Sequence, residues 1–176
     1  MTNTFKKTAL FTVLMAAIAQ PAFAAEDGAG KKNVEINGNV TIDVDAGDIT
    51  STASGEDSKS IVDIGTISNK SKLKDVDIKV KVGDVTSTAS AKNATSIIGI
   101  GAISNSEIGG NTLIDVEAGD VTSMASGEDS ISIIKLGTID DAKITGDATI
   151  KVKVQDVTST ASAKGAYSAI HVGAIY

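Results

Sequence analysis

The 176-residue chain contains no cysteine, no tryptophan and no arginine, and only one proline. Without cysteine there is no disulfide framework, so an exported protein of this composition must gain its rigidity from packing and hydrogen bonds. All sixteen basic residues are lysines. The planar fork that reads phosphate or guanine in bidentate fashion is therefore missing, and with a net charge of −6 nucleic acid is not expected as a partner. Aromatic residues make up 3% of the chain, too few for a bulky globular core. The single histidine, His171, has no second histidine and no cysteine with which to share a metal, and is expected to be a solvent-facing strand residue. No nucleophile elbow, phosphate loop or Ser–His–carboxylate set is recognisable, so no catalytic residue is assigned and an enzyme is not expected.

The residues present are mostly Val, Ile, Thr, Ser, Ala, Gly and Asp, a β-branched mixture punctuated by turn formers that favours strands. At the start, Lys6 and Lys7 precede a mostly apolar run from Ala9 to Ala19, and Ala22-Phe23-Ala24 stands before Ala25 as a small-x-small cleavage site. Residues 1–24 therefore read as a Sec-type signal peptide. The secretion machinery is the implied partner, and the implied destination is extracellular or the cell surface. The run is too short to span a bilayer and nothing later could, so no membrane insertion is expected. Residues 25–32, AEDGAGKK, read as a flexible lead.

From Asn33 onward the chain divides into four blocks of 36 residues, 33–68, 69–104, 105–140 and 141–176, anchored on Asp48, Asp84, Asp120 and Asp156. A fixed period of this length predicts a stacked array in which each unit buries its apolar face only against its neighbours. Within a block, apolar and polar residues alternate: Ile42-x-Val44, Ile49-Thr-Ser-Thr-Ala53, then Val62-x-Ile64 and Gly65. A period of two without any helical stripe predicts an all-β fold, a β-solenoid of four 36-residue repeats. A weaker echo at 18 residues, Val44-x-Ala46-Gly47-x-Ile49 against Val62-x-Ile64-Gly65-x-Ile67, leaves open two turns per block. Four layers would stand about 19 Å high and eight about 38 Å.

The blocks alternate in charge, with formal values of −6, +3, −6 and +1. At one pair of positions Asp43 and Asp45 give way to Lys79 and Lys81, then Asp115 and Glu117, then Lys151 and Lys153; at a turn, Glu56 gives way to Lys92, Glu128 and Lys164. Stacked in register, identical blocks would set carboxylate on carboxylate, and alternation removes that repulsion. The ladder works best between immediate neighbours, which favours one layer per block. Block 1 is acidic and block 4 basic at these positions, and block 4 runs to Ile175 and Tyr176 with no polar cap. Open edges of complementary charge predict head-to-tail self-association, with Ile175 and Tyr176 at the growing face. Such a heterologous contact does not close, so it builds a filament.

An export signal, a flexible lead, tandem β-repeats and open complementary ends together resemble the bacterial functional amyloids of biofilm matrix, the curli type. The resemblance covers residues 25–176 in plan, with charge ladders standing where that family carries Gln and Asn ladders. It implies a secreted subunit that folds as a β-solenoid and polymerises into cross-β fibres at the cell surface. No cofactor is expected. Calcium on the recurring aspartates is the exception to weigh, since stacked carboxylates repel unless neutralised, although hydrogen bonds from each aspartate to N–H groups of its own turn would serve instead. An alternative function is a monomeric surface solenoid that binds ice or glycan through Thr50, Thr52, Thr86, Thr88, Thr158 and Thr160. These face outward if Val, Ile and Ala face inward, with Met124 interrupting one row.

Overall fold

The computed structural model describes residues 38–68 and 72–176. The expected signal peptide and lead, residues 33–37 and residues 69–71 lie outside the described residues. Coil 1 holds β1 (Val40–Ala46), β2 (Ile49–Ala53) and β3 (Lys59–Ile64). Coil 2 holds β4 (Lys72–Leu73), β5 (Val76–Val82), β6 (Val85–Ser90), β7 (Thr95–Ile100) and β8 (Ile103–Ser104). Coil 3 holds β9 (Glu107–Ile108), β10 (Thr112–Ala118), β11 (Val121–Ser126), β12 (Ile131–Leu136) and β13 (Ile139–Asp140). Coil 4 holds β14 (Lys143–Ile144), β15 (Ala148–Val154), β16 (Val157–Ser162) and β17 (Tyr167–Val172).

Every strand pairs in parallel with its own copy in the next coil. Val40 faces Val76, Thr112 faces Val76 from the other side, and Ala148 faces Thr112. The three main sheets run β1-β5-β10-β15, β2-β6-β11-β16 and β3-β7-β12-β17, with small sheets β4-β9-β14 and β8-β13 completing the circuit. The protein is thus an all-β solenoid with one coil per 36-residue block, the shorter of the two possibilities. The 18-residue echo marks two similar corners of one coil, β1 into β2 at Gly47 and the exit from β3 at Gly65. Each corner is tied to the next coil, by Gly83 N–H donating to Ala46 O at 3.2 Å and Gly101 N–H to Ile64 O at 2.8 Å.

Alternation sorts the side chains. Ile78, Val116, Ile98, Ile134, Leu136 and Ile139 fill the wide part of the interior and are sealed from solvent. Towards the turn joining the second and third sheets the coil narrows, and the interior there holds Ser87, Ala89, Ala94 and Ser96, all fully buried. Small residues belong where two sheets converge, because the space fits no branched side chain.

The corner glycines are dictated by backbone. Gly65, Gly101, Gly137 and Gly173 have φ of 60°, 60°, 56° and 59°, in the left-handed region where a Cβ is penalised. At Gly101 a Cβ would also lie 2.6 Å from Val116 Cγ2, whereas at Gly173 it would meet nothing within 4 Å. In the turn after the second sheet the left-handed position is filled by Asp57, Asn93, Asp129 and Gly165, the residue types that tolerate it best. This explains why GEDS, AKNA and AKGA are interchangeable. Gly101→Ala is expected to lower stability by about 1–3 kcal/mol in a urea titration. Gly173→Ala, which shares the backbone cost without the clash, should lose measurably less.

Candidate functional site: ladders and open faces

On the outer face of the first sheet the predicted charges stand in two rows, Asp43–Lys79–Asp115–Lys151 and Asp45–Lys81–Glu117–Lys153, each acid opposite a lysine in register. Register does not bring all of them into contact. Lys153 Nζ reaches Glu117 Oε1 at 2.9 Å, but Lys79 Nζ turns along its own strand to Asp77 Oδ2 at 3.2 Å. The hydrogen bond from Lys153, its charge and that of Lys81 hold the Glu117 carboxyl below its usual range, and Glu117 in turn raises Lys153. Both side chains are open to water, where ion pairs contribute little to stability. The rows therefore act mainly by making every other register unfavourable.

The turn row Glu56, Lys92, Glu128 and Lys164 stacks through the backbone. Asp57 N–H donates to Lys92 O at 3.1 Å, Asn93 N–H to Glu128 O at 2.9 Å and Asp129 N–H to Lys164 O at 3.1 Å. Its four charged side chains enter no ion pair among the described residues.

The recurring aspartates are employed differently from the expectation. They do not serve their own turns. Asp48 Oδ1 accepts the N–H of Asp84, and Asp84 Oδ1 accepts the N–H of Asp120, both at 2.9 Å, so each carboxylate reaches one coil forward. It can do so because the residue before each donating amide is glycine. A Cβ on Gly83 would sit 2.2 Å from Asp48 Oδ1, and one on Gly119 would sit 2.3 Å from Asp84 Oδ1. The series stops at coil 4, where Gln155 stands in the glycine position. A second series of the same design went unnoticed in the sequence. Asp75 Oδ1 accepts the N–H of Asn111 at 2.9 Å beside Gly110, and Asn111 Oδ1 accepts that of Asp147 at 3.1 Å beside Gly146. Its signal was Asn39, Asp75, Asn111 and Asp147 at a spacing of 36. Among the described residues no group of three or more His, Cys, Asp or Glu side chains is arranged to hold a metal ion.

Inside the narrow part of the coil lies a feature the sequence reading passed over. Ser51, Ser60, Ser87, Ser96, Ser123, Ser132, Ser159 and Ser168 form an unbroken zigzag of hydroxyls, Oγ to Oγ at 2.8–2.9 Å, running the length of the described solenoid. Two serine phases recurring in every block were the available signal. The threonines flanking them point outward in rows Thr50–Thr86–Thr122–Thr158 and Thr52–Thr88–Met124–Thr160, the latter broken by exposed Met124.

The two ends are unlike the middle. The interior rows run out at Ile170, Val172 and Ile175, exposed by 45, 44 and 61%, while their mates one coil back, Ile134, Leu136 and Ile139, are buried. No described residue packs over this face, and none over the opposite one, where Ile42, Val44, Ala46 and Ile49 remain half-buried. Ile175 belongs to the interior row Ile139–Ile175. Tyr176 turns to the flank instead: its ring lies 5.2 Å from that of His171 and 5.6 Å from Lys135 Nζ. His171 is outward-facing and half-covered by this contact.

Ser96→Ala would leave the hydroxyls of Ser87 and Ser123 each short of a buried partner, an expected loss of about 1–3 kcal/mol in chemical denaturation. Thr88→Ala, on the same sheets but facing out, should stay within about 0.5 kcal/mol of the parent.

No protein-family model, no curated protein and no solved structure matches this chain.

Proposed function

We propose that the chain is a secreted structural subunit that polymerises head to tail into extracellular cross-β filaments of the functional-amyloid kind. One observation carries this reading: each end of the solenoid is half of a joint that recurs between every pair of adjacent coils inside the molecule. Placing coil 1 of a second copy on coil 4 repeats the same 36-residue step. Val157 N–H then meets the next copy's Asp48 carbonyl, as Val121 N–H meets Asp156 O at 2.8 Å within the chain. Ile175 meets Ile67, Ile170 meets Val62, and Ser168 continues the hydroxyl zigzag into Ser51. On the outer face Lys151 and Lys153 meet Asp43 and Asp45. An uncovered parallel sheet edge with exposed apolar rows behind it is a template for strand addition. The extracellular setting is supported by the signal-peptide pattern of residues 1–24.

Electron microscopy and fibre diffraction of the mature protein, residues 25–176, test this directly. Filaments with a reflection at about 4.7–4.8 Å along the axis are expected. A protein that stays monomeric through long incubation at high concentration is not a fibre subunit. Charge steering gives a second expectation. Lys151→Glu with Lys153→Glu should slow assembly by roughly tenfold or more at low salt. The deficit should shrink near 1 M salt, where screening acts within about 3 Å.

The outward threonine rows favour a second reading, a monomeric solenoid that binds ice or glycan across a flat face. Thermal hysteresis or glycan retention by the monomer, abolished by Thr86→Lys with Thr88→Lys, would establish it over the first.

A further inference from the structure

We infer that the joint between copies is keyed by two carboxylates, Asp147 and Asp156, which enter glycine notches at Gly38 and Gly47 of the next molecule and accept the N–H groups of Asn39 and Asp48. The inference rests on the filament reading and names the residues that would recognise the partner, a second copy of this chain.

The two forward-reaching series share one design. Inside the molecule the key is a side-chain oxygen, and the lock is an unbonded amide preceded by glycine. Three locks of this kind are filled by carboxylates, Gly83 by Asp48, Gly119 by Asp84 and Gly110 by Asp75, with the Oδ1 atom 2.1–2.3 Å from where a Cβ would stand. A fourth, Gly146, is filled by Asn111 Oδ1 at 2.8 Å from the Cβ position, with Gly110 O at 2.4 Å. At these positions glycine is required by the coil below.

Gly38 and Gly47 occupy the same two phases in coil 1, and a Cβ at either would meet nothing within 4 Å. Neither backbone lies in the left-handed region. The described fold therefore gives no reason for glycine at either site. The amides that follow them, Asn39 N–H and Asp48 N–H, donate to no described residue, although the next residues, Val40 and Ile49, donate to Asp75 O and Asp84 O at 2.8 Å. On the far face the counterparts are also idle: Asp147 and Asp156 are exposed, and neither carboxylate has a hydrogen-bond or ion-pair partner among the described residues. Two empty locks on one face and two unused keys on the other stand at the same 36-residue offset that relates the filled ones. Between coils 1 and 2 the second notch position is Lys74, and between coils 3 and 4 the first is Gln155, so each of those joints keeps one lock. A joint between copies would have two, like the joint between coils 2 and 3.

The test is Gly38→Ala combined with Gly47→Ala in the otherwise complete protein. Circular dichroism and denaturation should match the parent, because the added methyl groups touch no described residue of the monomer. Polymerisation should be lost, or the concentration it requires raised by about tenfold or more. Added in small amounts to growing parental filaments, the variant should dock through its intact Asp147 and Asp156 and then present blocked notches. Growth would stop at one end and continue at the other, visible by real-time fluorescence microscopy. Parental filaments together with equally competent variant filaments would overturn the key while leaving the filament reading in place. A parental protein that never polymerises would overturn both. A variant whose own fold is lost would also overturn the inference, since these glycines would then not be idle within the monomer.

Discussion

Each described strand of this protein sits on its own copy one coil away. With parallel strands in register at a step of 36, the position of one side chain fixes what lies above and below it, and a local choice becomes a column. Apolar columns are the favourable case: isoleucine on isoleucine, dry on both sides, with no mismatch of shape. Charged columns are the unfavourable case, and the alternation of acid and lysine is the response to it. Polar columns need donors and acceptors in balance, and the serine zigzag meets that need because a hydroxyl can do both. The forward-reaching aspartates meet it in another way, a carboxylate accepting from an amide one coil away.

These devices differ in where they act. Surface charges exclude wrong registers but add little stability in water. The buried hydroxyls and the sealed Ile and Val columns provide the cohesion and are the same in every coil, so by themselves they would accept a slip by a whole coil. Register within a coil is set by the period-two alternation, since a slip by one residue turns the apolar set outward. Register between coils is set by the charges and by the glycine-carboxylate contacts. The solenoid thus separates holding together from choosing a partner.

Much of this was legible in the sequence. Fold class, the 36-residue step, the inward columns and the outward threonines follow from two periodicities, 2 and 36, with no competing helical signal. The choice between one and two coils per block followed from electrostatics, because Asp43 needs Lys79 beside it and not two layers away. The missed features have a common cause. Ser87 and Ser96 are polar, and polarity argues for the surface; their phase, shared with Val85, Ala89, Ala94 and Ile98, points inward, and the narrowing of the coil makes a small hydroxyl the right filler. Asp48 was assigned to its own turn because sequence proximity was the available guide, while in a stack the nearest amide belongs to the next coil. Ile61 and Val62 are adjacent and equally apolar, but the Val62-x-Ile64 alternation puts Val62 on the inner face, and the structure buries Val62 and leaves Ile61 exposed by 48%.

The alternation of charge has a bearing on how such a chain can lengthen. Insert one more coil of either sign between two existing coils, and it becomes the neighbour of a layer of its own sign. Insert an acidic layer together with a basic one and the sequence of signs is undisturbed. The smallest unit that can be duplicated without electrostatic penalty is therefore a pair, 72 residues long. Blocks 1 and 3 resemble each other more than either resembles its immediate neighbour, as growth by such doublets would leave them.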